Sequence, residues 1–275
     1  MATAFIWGSA FVAQKGAMSY IGPFTFTCIR MFIGGIVLIP LIKIRGAVFD
    51  RSYIGGFCCG IALFFSIIFQ QIGLVYTTAG KAAFITAIYV IIVPVLGLFM
   101  KKMISRIMWL CVILAVAGVY LLCMESDFLI SKWDLLVLLS AFGYAAHIIT
   151  VDHFAPKCDP VILSCMQFFV CGAICLPTMI IEAPLLSDLL DAWLPIVYVG
   201  VISCGVAYTF QIVAQRDTTP TITAVILSFE SVFAVITGFF ILNEILSIQQ
   251  IIGCAVMFAA IIMAQIPEKP KGGII

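Results

Sequence analysis

YIGGFCCGIALFFSIIFQQIGL, residues 53–74, runs for 22 positions without a charged side chain or a proline. A helix rises about 1.5 Å per residue, so this stretch can cross a hydrocarbon core of roughly 30 Å. In lipid every backbone N–H and C=O must be paired within the protein, which leaves helices or a closed barrel. Barrel strands alternate over segments of about ten residues. This unbroken run therefore predicts a membrane-spanning helix.

The composition extends that interpretation to the whole chain. Hydrophobic residues make up 64% and charged residues 10%, whereas a soluble domain carries about 25% charged residues. The net charge of +1 gives no electrostatic basis for nucleic-acid binding. No GxGxxG, Walker A or GxSxG motif occurs, and the eleven cysteines sit in apolar runs without metal-ligand spacing. We therefore expect no cofactor and no metal.

Nine further apolar runs flank the first, separated by short polar breaks. The predicted spans are 3–18, 23–43, 53–74, 79–100, 104–123, 132–151, 160–181, 193–214, 220–242 and 247–265. Pro23, Pro160 and Pro220 fall at predicted helix starts, where a missing N–H costs little. A cleaved signal peptide is the competing interpretation of the first run, although another span follows it instead of a polar segment. The sequence predicts an all-α integral membrane protein with ten transmembrane helices.

Lysine and arginine are distributed unequally between the two predicted membrane faces. With the N-terminus in the cytoplasm, ten fall on the cytoplasmic side and three on the outer side. The cytoplasmic set is Lys43, Arg45, Arg51, Lys101, Lys102, Arg106, Lys157, Arg216, Lys269 and Lys271, and the outer set is Lys15, Lys81 and Lys132. Cytoplasmic loops carry the excess of positive charge. We expect a multi-pass plasma-membrane protein with both termini in the cytoplasm.

The chain also repeats itself. A shift of 137 residues places Pro23 on Pro160 and Pro40 on Pro177, and a shift of 140 places Gln71 on Gln211. These matches outline two five-helix halves, 1–127 and 128–275. An odd number of helices turns the second half upside down in the membrane. Inverted repeats are typical of transporters that alternate access around a midplane site between the halves.

Three short motifs point to a known family. They are FIWGS at residues 5–9, TTAGKAAF at 77–84, and LSFESVF at 227–233 followed by Asn243 and Glu244. With the two repeats, they resemble the EamA family of the drug/metabolite transporter superfamily. That pattern usually has proline after the glutamate of the third motif, where this chain has Ser231. The resemblance implies gradient-dependent export or exchange of amino acids, metabolites or drugs, through a cavity lined mainly by helices one, three, four, six, eight and nine.

Two titratable side chains at membrane depth are the candidates for proton coupling. Glu230 lies near the middle of helix nine, and His147 is on a polar stripe of helix six. Ionisable residues in a span are costly and commonly functional. Either side chain could carry a proton, and each could instead be a hydrogen-bonded group that ties helices together.

Other polar and aromatic side chains form stripes at helical spacing. The predicted cavity set, beyond the two titratable residues, is Trp7, Gln14, Gln70, Lys81, Tyr89, Tyr144, Tyr208 and Gln211. Amides offer both donors and acceptors to a polar solute, but hydrogen bonding between helices explains them equally well. Trp7 could instead be an interfacial aromatic residue, and Lys81 a lysine that snorkels to the interface. Arg30 we interpret as structural.

These observations favour a secondary transporter for small metabolites such as amino acids or amphipathic compounds, with no enzymatic chemistry. Few fixed charges line the predicted cavity, which disfavours multiply anionic substrates. A lipid-carrier flippase of the same fold and a non-transporting membrane scaffold remain the alternatives. The small residues at 111–118 and 253–260 suggest that helices five and ten are lipid-facing and can form a homodimer.

Overall fold

The computed structural model describes residues 1–46, 52–99, 104–123, 131–242 and 247–264. Regular structure in these ranges is helical, and no strand occurs in them. The helices are α1 (Ala2–Ala17), α2 (Pro23–Arg45), α3 (Ser52–Tyr76), α4 (Ala79–Ala87), α5 (Tyr89–Phe99), α6 (Arg106–Cys123), α7 (Lys132–Phe154), α8 (Pro160–Glu182), α9 (Leu186–Asp191), α10 (Trp193–Val197), α11 (Thr209–Gln215), α12 (Pro220–Leu227), α13 (Glu230–Leu242) and α14 (Ile248–Ala264). A 3₁₀ turn spans Ala155–Lys157, and a π-helix spans Tyr198–Tyr208.

Seven helical segments of the described chain are long and apolar enough to cross a membrane. They are Pro23–Arg45, Tyr53–Tyr76, Ala79–Phe99, Lys132–Lys157, Pro160–Glu182, Trp193–Gln215 and Pro220–Ile241, with shorter apolar helices at Arg106–Leu121 and Ile251–Ala264. Large apolar side chains on the outside, such as Phe240 and Ile113, are exposed. An apolar exterior of this kind suits contact with lipid tails. The chain is a multi-pass membrane protein.

Some residues used in the sequence analysis lie outside the described ranges. They are Arg51, Lys101, Lys102, Asn243, Glu244, Lys269 and Lys271, and the predicted boundary between residues 127 and 128 falls there too.

Helix starts follow the local sequence. Pro23, Pro160 and Pro220 each begin a helix, as predicted. Side-chain oxygens of Thr78, Ser131, Asp159 and Thr219 accept hydrogen bonds from backbone N–H groups of the first turn that follows. Such caps satisfy donors that have no partner within the helix.

Helices α2 and α8 pack side by side in opposite directions. At one end, the Glu182 carboxylate that closes α8 accepts hydrogen bonds from Thr25 N and Thr25 Oγ1 at the start of α2, at 2.7 and 2.6 Å. At the other end, Arg45 of α2 lies 3.4 Å from Asp159, the residue that caps α8. Contacts at both ends therefore fix the pair as antiparallel.

Helices α6 and α14 form a second antiparallel pair, closed by small residues. A Cβ added to Gly118 would lie 2.6 Å from Met257 Cγ and 3.0 Å from the carbonyl oxygen of Gly253. At the end of α6, Gln249 Nε2 donates to the carbonyl oxygen of Leu121 at 3.2 Å. These small-residue faces are covered within the chain. A homodimer through the two helices stays a prediction, and it would have to use their other faces.

Three predicted spans are not continuous α-helices. The run 79–100 is interrupted at Ile88, between α4 and α5. The run 220–242 is interrupted at Ser228 and Phe229, between α12 and α13, and the run 193–214 contains the π-helix. The hydropathy of a run shows how long it is apolar but not whether the backbone hydrogen-bond pattern changes within it. The sequence analysis therefore did not predict these three interruptions.

Candidate functional site

A partly enclosed cavity lies where the helices converge, and the empty space of about 490 Å³ around it includes its opening to the surroundings. The lining residues are Trp7, Phe11, Gln14, Arg30, Gln70, Thr86, Tyr89, Tyr144, Ile148, Ser203, Tyr208, Gln211, Leu227 and Glu230. They come from α1, α2, α3, α7 and the three interrupted spans, whereas α6, α8 and α14 contribute none.

Two of the three interrupted spans, α4–α5 and α12–α13, cross at this cavity. α4 packs on α13 and α5 packs on α12, so the breaks at Ile88 and Ser228 lie beside each other. Tyr89 is the first residue after one break and Glu230 the first after the other. The Tyr89 hydroxyl donates to Glu230 Oε1 at 3.1 Å, and both side chains are buried. A carboxylate is thereby held by a phenol from the partner helix at the point where both backbones are interrupted.

Serine hydroxyls satisfy the backbone around the second break. Ser231 Oγ donates to the carbonyl oxygen of Ser228 at 2.7 Å, and Ser228 Oγ donates to that of Val225 at 2.8 Å. Irregular backbone at membrane depth is tolerated where it is buried in protein or lines a cavity. These bonds stabilise the break in the absence of a proline.

One wall of the cavity is a chain of polar groups from three helices. Gln70 Nε2 donates to Thr86 Oγ1 at 3.0 Å, and the Tyr144 hydroxyl donates to Gln70 Oε1 at 3.0 Å. The rings of Tyr144 and Tyr89 are 6.4 Å apart. The amide of Gln70 is fixed at both ends, which rigidifies this wall.

Another wall of the cavity is aromatic. Trp7 packs against Tyr208 with ring centroids 4.5 Å apart, and Trp7 Nε1 donates to the carbonyl oxygen of Ser203 at 3.4 Å. Ser203 and Tyr208 both lie in the π-helix. π-helical turns often occur at functional sites, and this one turns two residues toward the cavity.

A single cation lines the described cavity. Arg30 Nη1 donates to Gln14 Oε1 at 2.7 Å, and the guanidinium lies 5.0 Å from the ring of Phe26. Glu230 is the only carboxylate among the lining residues. No salt bridge joins these two charges in the described part of the chain.

The side chain of Gln211 adds an oxygen that can accept a hydrogen bond. Its Nε2 donates to Gln215 Oε1 at 2.8 Å, while its buried Oε1 has no hydrogen-bond partner among the described residues. Because a buried acceptor is costly when unpaired, this oxygen is available to a solute or a water molecule.

The structure brings together eight of the ten residues expected to line a cavity. They are Trp7, Gln14, Gln70, Tyr89, Tyr144, Tyr208, Gln211 and Glu230. His147 does not line it. Its Nε2 is hydrogen-bonded to Gln167 Oε1 at 2.9 Å, and its ring lies behind Tyr208 at 5.9 Å. A role of these residues in transport stays a prediction.

Lys81 is also outside the cavity, contrary to expectation. Its Nζ forms a salt bridge of 2.7 Å with Asp134, which also accepts a hydrogen bond from Thr77 at 3.2 Å. This cluster ties the end of α3 and the start of α4 to the start of α7. The sequence alone does not reveal this salt bridge, because Asp134 is 53 positions away from Lys81.

Six lining residues are not in the predicted set, and Arg30 is the charged one among them; the others are Phe11, Thr86, Ile148, Ser203 and Leu227. The available signal was a charged side chain only seven residues after Pro23 in a membrane-spanning run, which by default indicates function. No group of three His, Cys, Asp or Glu side chains in the described ranges is arranged to hold a metal ion.

Comparison with known proteins agrees with the motifs. The model of the EamA-like transporter family matches residues 1–124 and 131–265. A protein of Archaeoglobus fulgidus described as an uncharacterized transporter is 31% identical over 269 residues, covering 96% of this chain and 83% of the relative. A WAT1-related chloroplast protein of Arabidopsis thaliana is 25% identical over 284 residues, covering 96% of this chain and 68% of the relative.

The fold has a counterpart among solved crystal structures. One such structure superimposes with a TM-score of 0.80 at 16% identity, covering 96% of this chain and 94% of the other. At that identity the likeness concerns the fold alone. Because the family model covers nearly the whole sequence, the chain belongs to the EamA-like transporter family of the drug/metabolite transporter superfamily and is a membrane transporter.

Proposed function

We propose that the chain is a secondary active transporter of small metabolites that works by alternating access between two inverted five-helix repeats, 1–127 and 128–275. Ten membrane spans make up the repeats, with α1, α6 and α14 added to the seven longer segments. The substrates are amino acids or amphipathic compounds of similar size, which the protein exports or exchanges.

The antiparallel pairs support the inverted repeat. α2 and α8 correspond under the shift of 137 residues and run in opposite directions, as two inverted copies must. α6 and α14 correspond under a shift of 142 residues and also run in opposite directions. The family model also matches the chain in two segments that separate near residue 127.

The observation that carries the proposal is the meeting of the two helix breaks. Tyr89 and Glu230 are 141 positions apart, close to the shifts of 137 and 140 residues that relate the halves, and they are hydrogen-bonded to each other. Discontinuous helices at corresponding positions of two repeats are characteristic of transporter binding sites. Rocking one half against the other would open the cavity to alternate sides around this contact.

The lining chemistry supports a small, mixed polar and apolar solute. Aromatic rings form one wall, and an amide and hydroxyl chain forms another. Glu230 is the first candidate for proton coupling, because a buried carboxylate in the cavity can be reached by both solute and proton. His147 stays a weaker candidate because it is hydrogen-bonded behind the cavity wall.

A proteoliposome assay tests the proposal. Liposomes with the purified protein are loaded with unlabelled L-amino acids, and entry of a ¹⁴C-labelled L-amino acid mixture is followed. Counterflow is expected for the wild type, and an imposed proton gradient should drive accumulation. Glu230→Gln, which mimics a permanently protonated carboxyl, should keep counterflow and lose gradient-driven accumulation.

Glu182→Gln is the matched control, because that carboxylate caps α2 outside the cavity. It should accumulate label as the wild type does. Accumulation that survives in Glu230→Gln would contradict proton coupling through this residue. The absence of counterflow in the wild type would contradict transport of amino acids.

A further inference from the structure

Arg30 is a buried charge for which the described part of the chain supplies no countercharge. Its side chain is 3% exposed, inside the membrane-spanning helix α2. One hydrogen bond is formed, from Nη1 to the neutral amide oxygen of Gln14, and Nε has no partner among the described residues. The two salt bridges of the described chain involve other residues.

This arrangement is incomplete by the usual rules for charged groups. A guanidinium presents five N–H donors in a planar fork. Buried charges are stable when they are paired and hydrogen-bonded, and an unpaired one at membrane depth is costly. Gln14 and the ring of Phe26 offset part of that cost, but neither supplies negative charge.

The missing partner fits a carboxylate that enters the cavity. Arg30 lines the cavity, so its free donors are accessible to a solute there. Guanidinium and carboxylate match in a bidentate geometry. Among the described lining residues Arg30 is the only Arg or Lys, and one cation suits a monoanion better than a phosphate dianion.

Glu230 does not fill this role from within the protein. It lines the same cavity but forms no salt bridge with Arg30, and its Oε1 accepts the hydrogen bond from Tyr89. We propose that Arg30, oriented by Gln14, is the carboxylate-binding residue of the cavity, so that the transported solute carries a single carboxylate group. This inference rests on the proposed function for the statement that the solute is transported.

Matched ligands test the carboxylate. The thermal stability of the purified full-length protein is titrated with L-leucine, L-phenylalanine and L-threonine, with their amides, and with 3-methylbutylamine and 2-phenylethylamine. Ligands that bind the folded state raise its melting temperature. At least one acid should bind about tenfold or more tightly than its amide. This is the affinity that we expect the amide to lose because it cannot form a charge-assisted bidentate pair with Arg30. If amides bind equally well, or no acid binds, the proposal is overturned.

Matched variants test the residue. Gln14→Glu replaces the amide that accepts the hydrogen bond from Arg30 with a carboxylate. The charge of Arg30 is then neutralised within the protein, and we expect the variant to fold. This variant, like Arg30→Gln, should bind the acid at least about tenfold more weakly and the amide as the wild type does. Arg45→Gln, which removes an arginine from the other end of the same helix, should bind both normally. Undiminished acid binding by Gln14→Glu overturns the assignment.

Counterflow separates this inference from the proposed function. Carboxylate binding that depends on Arg30, without counterflow in proteoliposomes, would contradict transport and leave the site assignment standing. Counterflow of amines and amides that does not require a carboxylate would overturn the site assignment and leave the transporter standing.

Discussion

Gly8 sets how closely α1 approaches α13, the helix that begins with Glu230. A Cβ at this position would lie 2.6 Å from Phe233 Cβ and 2.8 Å from the backbone nitrogen of Ala234. Small residues permit such close approach between membrane helices. The position of Glu230 relative to the Trp7 wall therefore depends on a residue that has no functional group of its own.

Substitution of this glycine should separate the two helices. We expect Gly8→Ala to lower the free energy of unfolding by about 1–3 kcal/mol, the usual cost of overpacking. Gly16→Ala is the control on the same helix, since nothing lies within 4 Å of a Cβ there. It should be neutral, or stabilising by up to about 1 kcal/mol. Reversible unfolding in detergent measures both, and equal effects would contradict this account of Gly8.

Individual site residues were predictable where polar side chains recur on one face of a single helix. Gln70 and Tyr144 stand out because polar atoms are costly in a span and recur at helical spacing. Lys81 was misplaced because its partner, Asp134, belongs to another helix. The sequence predicts a structural role for Arg30, because the absence of a countercharge among the described residues is visible only when the neighbouring helices are in place.

At the scale of elements, helix starts were predictable and helix interruptions were not. Proline and capping side chains mark a start within a few residues of sequence. The breaks at Ile88 and Ser228 leave the hydropathy of the run unchanged, and they are stabilised by contacts between the two crossing helices. Ser231 stands where the family usually has proline, and its hydroxyl bonds to Ser228 instead.

The break beside Glu230 should accept proline at Ser231. That residue is in the first turn of α13, where proline is tolerated, and the lost hydrogen bonds should cost about 1 kcal/mol. Ala234→Pro lies deeper in the same helix and should cost about 3 kcal/mol or more, because it removes an interior helical bond. The melting temperatures of the two variants make the comparison. Equal loss in both would show that α13 does not begin at the break.

At the scale of the whole molecule, the described chain contains two antiparallel helix pairs, α2 with α8 and α6 with α14. The unequal charge of the two predicted membrane faces predicts the orientation of the chain, because positively charged loops stay in the cytoplasm. Helix α7 has 23 residues, a length of about 34 Å. It is long enough to carry Lys132 at one membrane face and Lys157, just past its end, at the other.

Cysteine labelling on intact cells tests the predicted orientation. Lys132 and Lys157 are exposed, and eight of the eleven cysteines are buried, so the native background should be low. A membrane-impermeant maleimide should label Lys132→Cys in intact cells, and Lys157→Cys only after permeabilisation. The two sites serve as controls for each other because they flank one helix. Labelling in the reverse order would place both termini outside and contradict the predicted orientation. The packing of the helices would then have overridden the positive-inside signal.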